Sequence, residues 1–109
     1  TTIDIYWSSI GQPTVNFIKL DIEGAELKAL KGAVGVIKRD RPLILCELVR
    51  EWCARYGHSC QDVIKFIRDL DYCVGFLMDG KIELYDDGLA DWHYNDAFFI
   101  PLEKSSMLL

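Results

Sequence analysis

Two apolar runs either side of one helix-length segment restrict this chain's fold more than anything else in it. Phe17-Ile18-Lys19-Leu20-Asp21-Ile22 and Leu43-Ile44-Leu45-Cys46-Glu47-Leu48-Val49 are compact and rich in branched side chains. Near-continuous apolarity over a few residues is what a strand buried on both faces requires. Between the runs, Leu27, Leu30, Val34 and Ile37 step by three, four and three residues, which places them on one side of a helix. Glu23 and Glu26 stand at its start and Lys38 and Arg39 at its end, where the helix dipole favours each sign. Gly32 and Gly35 weaken this helix by up to ~1 kcal/mol each relative to Ala. Their lack of side chains would let it approach the sheet closely. Asp40-Arg41-Pro42 ends it. Strand, helix and strand in this space form a βαβ unit, which predicts parallel pairing of 17–22 with 43–48 through a right-handed crossover.

The rest of the chain carries weaker signals. Residues 1–5 read as a short strand or an arm, and 6–14, with Gly11 and Pro13, as a connection. The stretch 50–58 is polar and aromatic. Ser59 stands where it would cap a second helix with Val63, Phe66, Ile67 and Leu70 as its apolar stripe. A third strand is expected over 73–78, then a hairpin at Asp79-Gly80 into 81–85. A loop over 86–96 leads to a last apolar strand, 97–101. No repeat or low-complexity tract interrupts the chain, so 1–109 is expected to be one α/β domain.

Charge and cysteine narrow the function. A net charge of -5 argues against a nucleic-acid partner, because affinity for phosphates rests on Lys and Arg. No apolar run approaches the ~20 residues that span a bilayer, and no signal peptide opens the chain, so no membrane association is expected. Cys46, Cys53, Cys60 and Cys73 include no C-x-x-C pair. They read as four free thiols in a reducing cytoplasm. Cys53, His58 and Cys60 fit no common zinc spacing and supply only three ligands.

Asp21 and Glu23 would lie on the same side of a strand continued to residue 23, at its carboxyl end. Glu47 would stand at the carboxyl end of the neighbouring strand, outside which open parallel sheets bind their ligands. These acids could orient a substrate hydroxyl or take its proton. They could equally cap the helix and bond to backbone N–H groups at the turn, as Glu26 is expected to do. Lys19 shares that polar side. Trp52, Trp92 and His93 lie on the aromatic stretches that follow the second strand and precede the last. They could shape an acceptor pocket or simply cover the core.

The string Lys19-Leu20-Asp21-Ile22-Glu23-Gly24-Ala25-Glu26, running on to Ala33, resembles the FkbM methyltransferase signature, Lys-x-Asp-x-Glu-Gly-x-Glu. Arg41 to Glu47 is similar to that family's following strand, Asn95 to Pro101 to its closing strand, and Thr2-Ile3-Asp4 to a Thr-Leu-Asp that precedes the signature. The resemblance implies the C-terminal half of a Rossmann-like, S-adenosylmethionine-dependent methyltransferase fold. Its sheet would be mixed and mostly parallel, ordered 17–22, 43–48, 97–100, 73–78, with the last strand of the chain antiparallel and helices on the sheet's faces. It also implies Asp21, Glu23 and Glu47 as catalytic acids, and no metal.

No two glycines are spaced as G-x-G, so the Gly-rich turn that grips the cofactor in such folds is absent. S-adenosylmethionine is therefore expected of the complete fold and not as a ligand of this chain alone. The expected function is that of a fragment of an O-methyltransferase acting on a hydroxyl of a small metabolite or sugar. The alternative is a small α/β interaction module without catalysis. A metal-dependent hydrolase built on the same acids is a third reading, with no His cluster to support it. The strand 17–22 would lie at an unpaired edge, which predicts self-association there, cover by residues 1–5, or disorder of that edge.

Overall fold

The computed structural model describes residues 1–85 and 91–107. Five strands form one sheet: β1 (Phe17–Leu20), β2 (Leu43–Glu47), β3 (Tyr72–Met78), β4 (Lys81–Leu84) and β5 (Asp96–Pro101). Their spatial order is β1-β2-β5-β3-β4. β1 and β2 pair in parallel, Phe17 opposite Leu43 and Leu20 opposite Cys46. The first crossover and its register are therefore those the apolar runs predict, although β1 stops at Leu20, short of residue 22. The ladders β2 with β5, β5 with β3 and β3 with β4 are all antiparallel. The expectation of a mostly parallel sheet is thus corrected. The last strand lies between β2 and β3 and runs against both, in the order the resemblance implied, and the tight hairpin at Asp79-Gly80 adds β4 antiparallel at the far edge.

The helices are α1 (Ile3–Ser9), α2 (Glu26–Lys31), α3 (Val34–Asp40), α4 (Arg50–Arg55) and α5 (Cys60–Arg68). A 3-10 turn, Leu102–Met107, follows β5. The crossovers from β1 to β2 and from β2 to β3 step the same way across the sheet. With a common hand they set their helices on the same face. The core lies there: Ile44, Cys46, Val74, Ala97 and Phe99 of the sheet, and Leu30, Ile37, Val63 and Ile67 of the helices, are all buried. On the other face Leu43, Leu45, Glu47, Cys73 and Phe98 are half-buried and Phe17 and Leu77 exposed. Helices on both faces, as the resemblance implied, are not what these strands show.

Residues 1–5 form neither strand nor arm. They begin α1, whose start is capped by the Thr2 hydroxyl accepting the Ile5 N–H at 3.1 Å. The single helix expected from 23 to 40 is broken at Gly32-Ala33 into α2 and α3. Ala33 has no side-chain oxygen with which to cap α3. The Asp4 carboxylate does so from a distance, accepting the N–H groups of Gly35 at 2.8 Å and Val36 at 3.0 Å. A Cβ on Gly35 would lie 3.1 Å from that carboxylate. The two glycines thus make room for α1, whereas an approach to the sheet was expected. Residues 50–58, read only as polar and aromatic, contain α4. Ser59 caps α5 as foreseen, in a reciprocal box with Asp62. The expected loop over 86–96 lies in part outside the described residues.

Candidate functional site

The signature turn is built around Glu26, the one charged side chain fully buried among the described residues. From the first turn of α2 its carboxylate reaches back to accept the N–H of Ile22 at 3.0 Å and of Gly24 at 2.9 Å. A charged acceptor taking two otherwise orphaned donors holds the chain between β1 and α2 in one shape. Gly24 completes the turn with φ +110°, and a Cβ there would stand 2.2 Å from the Trp52 carbonyl oxygen. Only glycine allows the turn to lie directly beneath α4.

That shape separates the two signature acids. Asp21 follows the last residue of β1 and is exposed. Glu23 adopts φ +54° after the strand has ended, so alternation along a strand does not align it with Asp21. The expectation that the two point the same way rested on a strand continuing to 23, and the turn clamped by Glu26 replaces it.

Glu47 is the acid that Asp21 meets. Leu20 pairs with Cys46, which brings the next residue of each strand side by side. Hydrogen bonding with Asp21, then burial and the charges of Asp21, Asp96 and Glu26, push the Glu47 carboxyl above its ordinary range. Asp96, opposite Glu47 at the start of β5, adds its negative charge to the same strand ends. It was not singled out because the last strand was expected to begin at residue 97, one place beyond it. A second acid beside a carboxyl disfavours its ionised form.

Lys19 is exposed on the outer strand, on the sheet face that carries Leu45 and Glu47. Trp52 is half-buried and contributes its backbone carbonyl to the packing over Gly24. Trp92 is 1% exposed, with its indole N–H donating to the Leu48 carbonyl at 2.9 Å and its ring edge-on to Tyr85 and Tyr94. It is a core residue tying the segment before β5 to the end of β2, and it also lines a cavity of about 580 Å³ with Arg50 and His58. His93 is exposed, its ring 4.1 Å from that of Tyr94. With Arg50, Glu51 and Tyr94 it lines a cavity of about 260 Å³ beside the carboxyl end of β2. Arg50 gave no signal in sequence, since it belongs to no periodic run, whereas Tyr94 lies with His93 on the aromatic stretch that precedes the last strand. Among the described residues no cluster of His, Cys, Asp or Glu could hold a metal ion. No helix is long and apolar enough to cross a membrane.

The model of the FkbM methyltransferase domain matches residues 1–74, from α1 into β3 and including the clamped turn and both acids. The chain belongs to the FkbM methyltransferase domain family. Searches of curated proteins and of solved structures found no match. The family suggests S-adenosylmethionine as methyl donor. Gly24, the glycine at the carboxyl end of β1, is buried under α4 and has no open space for a ligand. The other positive-φ glycines, 11, 57 and 80, lie at helix ends and a hairpin. This FkbM chain carries Asp21 and Glu47 at the ends of β1 and β2, with the His93 and Arg50 cavity beside the end of β2.

Proposed function

We propose that this chain is the acceptor-side portion of an O-methyltransferase domain, lacking the Gly-rich half that grips the cofactor and inactive by itself. The reading rests on the Asp21 and Glu47 pair at the carboxyl ends of two parallel strands, in a chain of the FkbM family. A hydroxyl on a small metabolite or sugar attacks a methyl group only as it loses its proton. A carboxylate set beside a second acid is suited to take that proton up. Asp21, the more exposed of the two, accepts the hydroxyl hydrogen, and Glu47 shares it. Glu23 lies at the rim of the same turn and contacts the acceptor from there. Lys19 and His93 flank the acids and bind polar groups of the acceptor, with Trp52 behind the turn. S-adenosylmethionine, when bound, supplies the electrophilic methyl group.

Calorimetric titration of the chain with S-adenosylhomocysteine tests the missing grip. No heat of binding is expected up to about 1 mM, and an affinity near 1 μM would overturn the reading. In a complete FkbM domain carrying the same string, the equivalent of Asp21→Ala should abolish methyl transfer with the fold intact. Unchanged turnover there would refute the role of the acids.

A further inference from the structure

Two thiols meet between α4 and α5. Cys53 stands on α4, and Cys60 opens α5 directly after its Ser59 cap. The chain turns back on itself between them, so that the Cys53 carbonyl accepts the N–H groups of Tyr56 at 3.0 Å and His58 at 3.3 Å. Both are free cysteines, Cys53 wholly buried and Cys60 nearly so, and their side chains are in hydrogen-bonding contact. A disulfide needs its two side chains close together from the start. Here the fold has already closed the short loop 53–60, so bonding its ends adds little further loss of chain entropy.

Only one of the pair faces open space. Cys60 lines the cavity of about 580 Å³ with Arg50, His58, Ser59 and Gln61, and Cys53 is not part of its wall. That arrangement separates an attacking thiol from a resolving one. Burial pushes the Cys60 thiol up to about 12 and raises Cys53 as well, with the charge of Arg50 opposing the shift at Cys60. Little thiolate is present near neutral pH, so exchange at this pair is slow. α4 also covers the signature turn. Trp52, the residue before Cys53, holds its carbonyl over Gly24, and the Tyr56 ring packs there too.

We propose that Cys53 and Cys60 form a redox switch: a low-molecular-weight disulfide entering the cavity oxidises the pair, and the new bond alters how α4 sits on the signature turn. The Cys60 thiolate attacks one sulfur of the external disulfide, and the thiolate that leaves takes up the proton Cys60 gave up. The Cys53 thiolate then displaces the second external thiolate from Cys60, which is protonated in the same way. Two protein thiols are oxidised to one disulfide, and the external disulfide is reduced to two thiols. No step uses a methyl donor or an acceptor, so the switch is independent of the methyltransferase reading.

Glutathione disulfide is the probe. The full chain, first reduced, is held folded with about 5 mM of it at about pH 8, then alkylated at low pH and cut with trypsin. Cleavage after Arg50, Arg55 and Lys65 separates 51–55 from 56–65. These two peptides should appear joined, two hydrogens lighter than their sum, and dithiothreitol should part them. Cys53→Ala should stop the reaction with one glutathione on Cys60, and Cys60→Ala should leave Cys53 unmodified. In the wild-type chain the amide resonance of Gly24 should shift on oxidation and return with dithiothreitol. Far-UV circular dichroism checks that the variants fold, and the wild-type peptide map and Gly24 shift decide the matter where one does not. Absence of the joined peptides, a link to Cys46 or Cys73, glutathione on Cys53 in the Cys60→Ala chain, or a Gly24 resonance unmoved by oxidation would each overturn the proposal.

Discussion

Removing the Glu26 carboxylate should cost this chain a large part of its stability, because nothing else answers the two N–H groups it holds. Its side chain is wholly buried, and the bonds to Ile22 and Gly24 are 3.0 Å and 2.9 Å long. Hydrogen bonds to a charged acceptor contribute ~1.5–3 kcal/mol each, and a buried donor left unanswered costs ~1–3 kcal/mol. The Gly24 N–H is fully buried and the Ile22 N–H partly so. Glu26→Ala is therefore expected to cost about 4 kcal/mol, a large share of the ~5–15 kcal/mol by which a domain is stable. With a urea slope of ~1–1.5 kcal/mol/M for a chain of this size, the unfolding midpoint should fall by about 3 M. Fluorescence of Trp7, Trp52 and Trp92 reports the transition. Glu26→Gln keeps the shape and one acceptor oxygen but turns an amide N–H toward one of the donors, so it should lose about half as much. An Ala variant whose midpoint falls by less than about 0.7 M would refute the clamp.

Asp4→Ala should cost ~0.5–2 kcal/mol by uncapping α3, and amide exchange should quicken first at Gly35 and Val36. Gly24→Ala meets both a φ of +110° and the Trp52 carbonyl at 2.2 Å, so a loss above ~2 kcal/mol is expected by urea unfolding. Because folding raises the affinity of Glu47 for its proton, its stabilising contribution is full below the ordinary carboxylate range and is lost as pH rises through the elevated value. Glu47→Gln carries no such titration. Its midpoint should gain on the wild type as pH rises above the ordinary carboxylate range, and parallel pH profiles would contradict the pairing.

Apolar clustering and its period placed β1, β2, α5 and β3 in this chain, because burial is imposed residue by residue along each of them. Helix α1 was hidden for the opposite reason. Ile3 and Ile5 favour strands, and what holds the helix is a local Thr2 cap and an Asp4 contact with residues far along the chain. The break at Gly32-Ala33 follows from that same contact. Asp21 and Glu47 were legible as neighbours once two parallel strands were inferred. Glu23 was misjudged because the strand's end depends on Glu26, four residues beyond Ile22. Trp92 read as either a pocket wall or cover for the core, and the Leu48 carbonyl that takes its N–H is 44 residues away, a separation no local pattern reports.

The one-sided placement of the helices divides β2 into two populations living under different rules. Ile44 and Cys46 look into packed helices, whereas Leu43, Leu45 and Glu47 look toward solvent. A library that randomises the first pair should yield few folded clones, and one that randomises the other three should yield many. The strand is accordingly rigid in composition at every second position and open to change at those between.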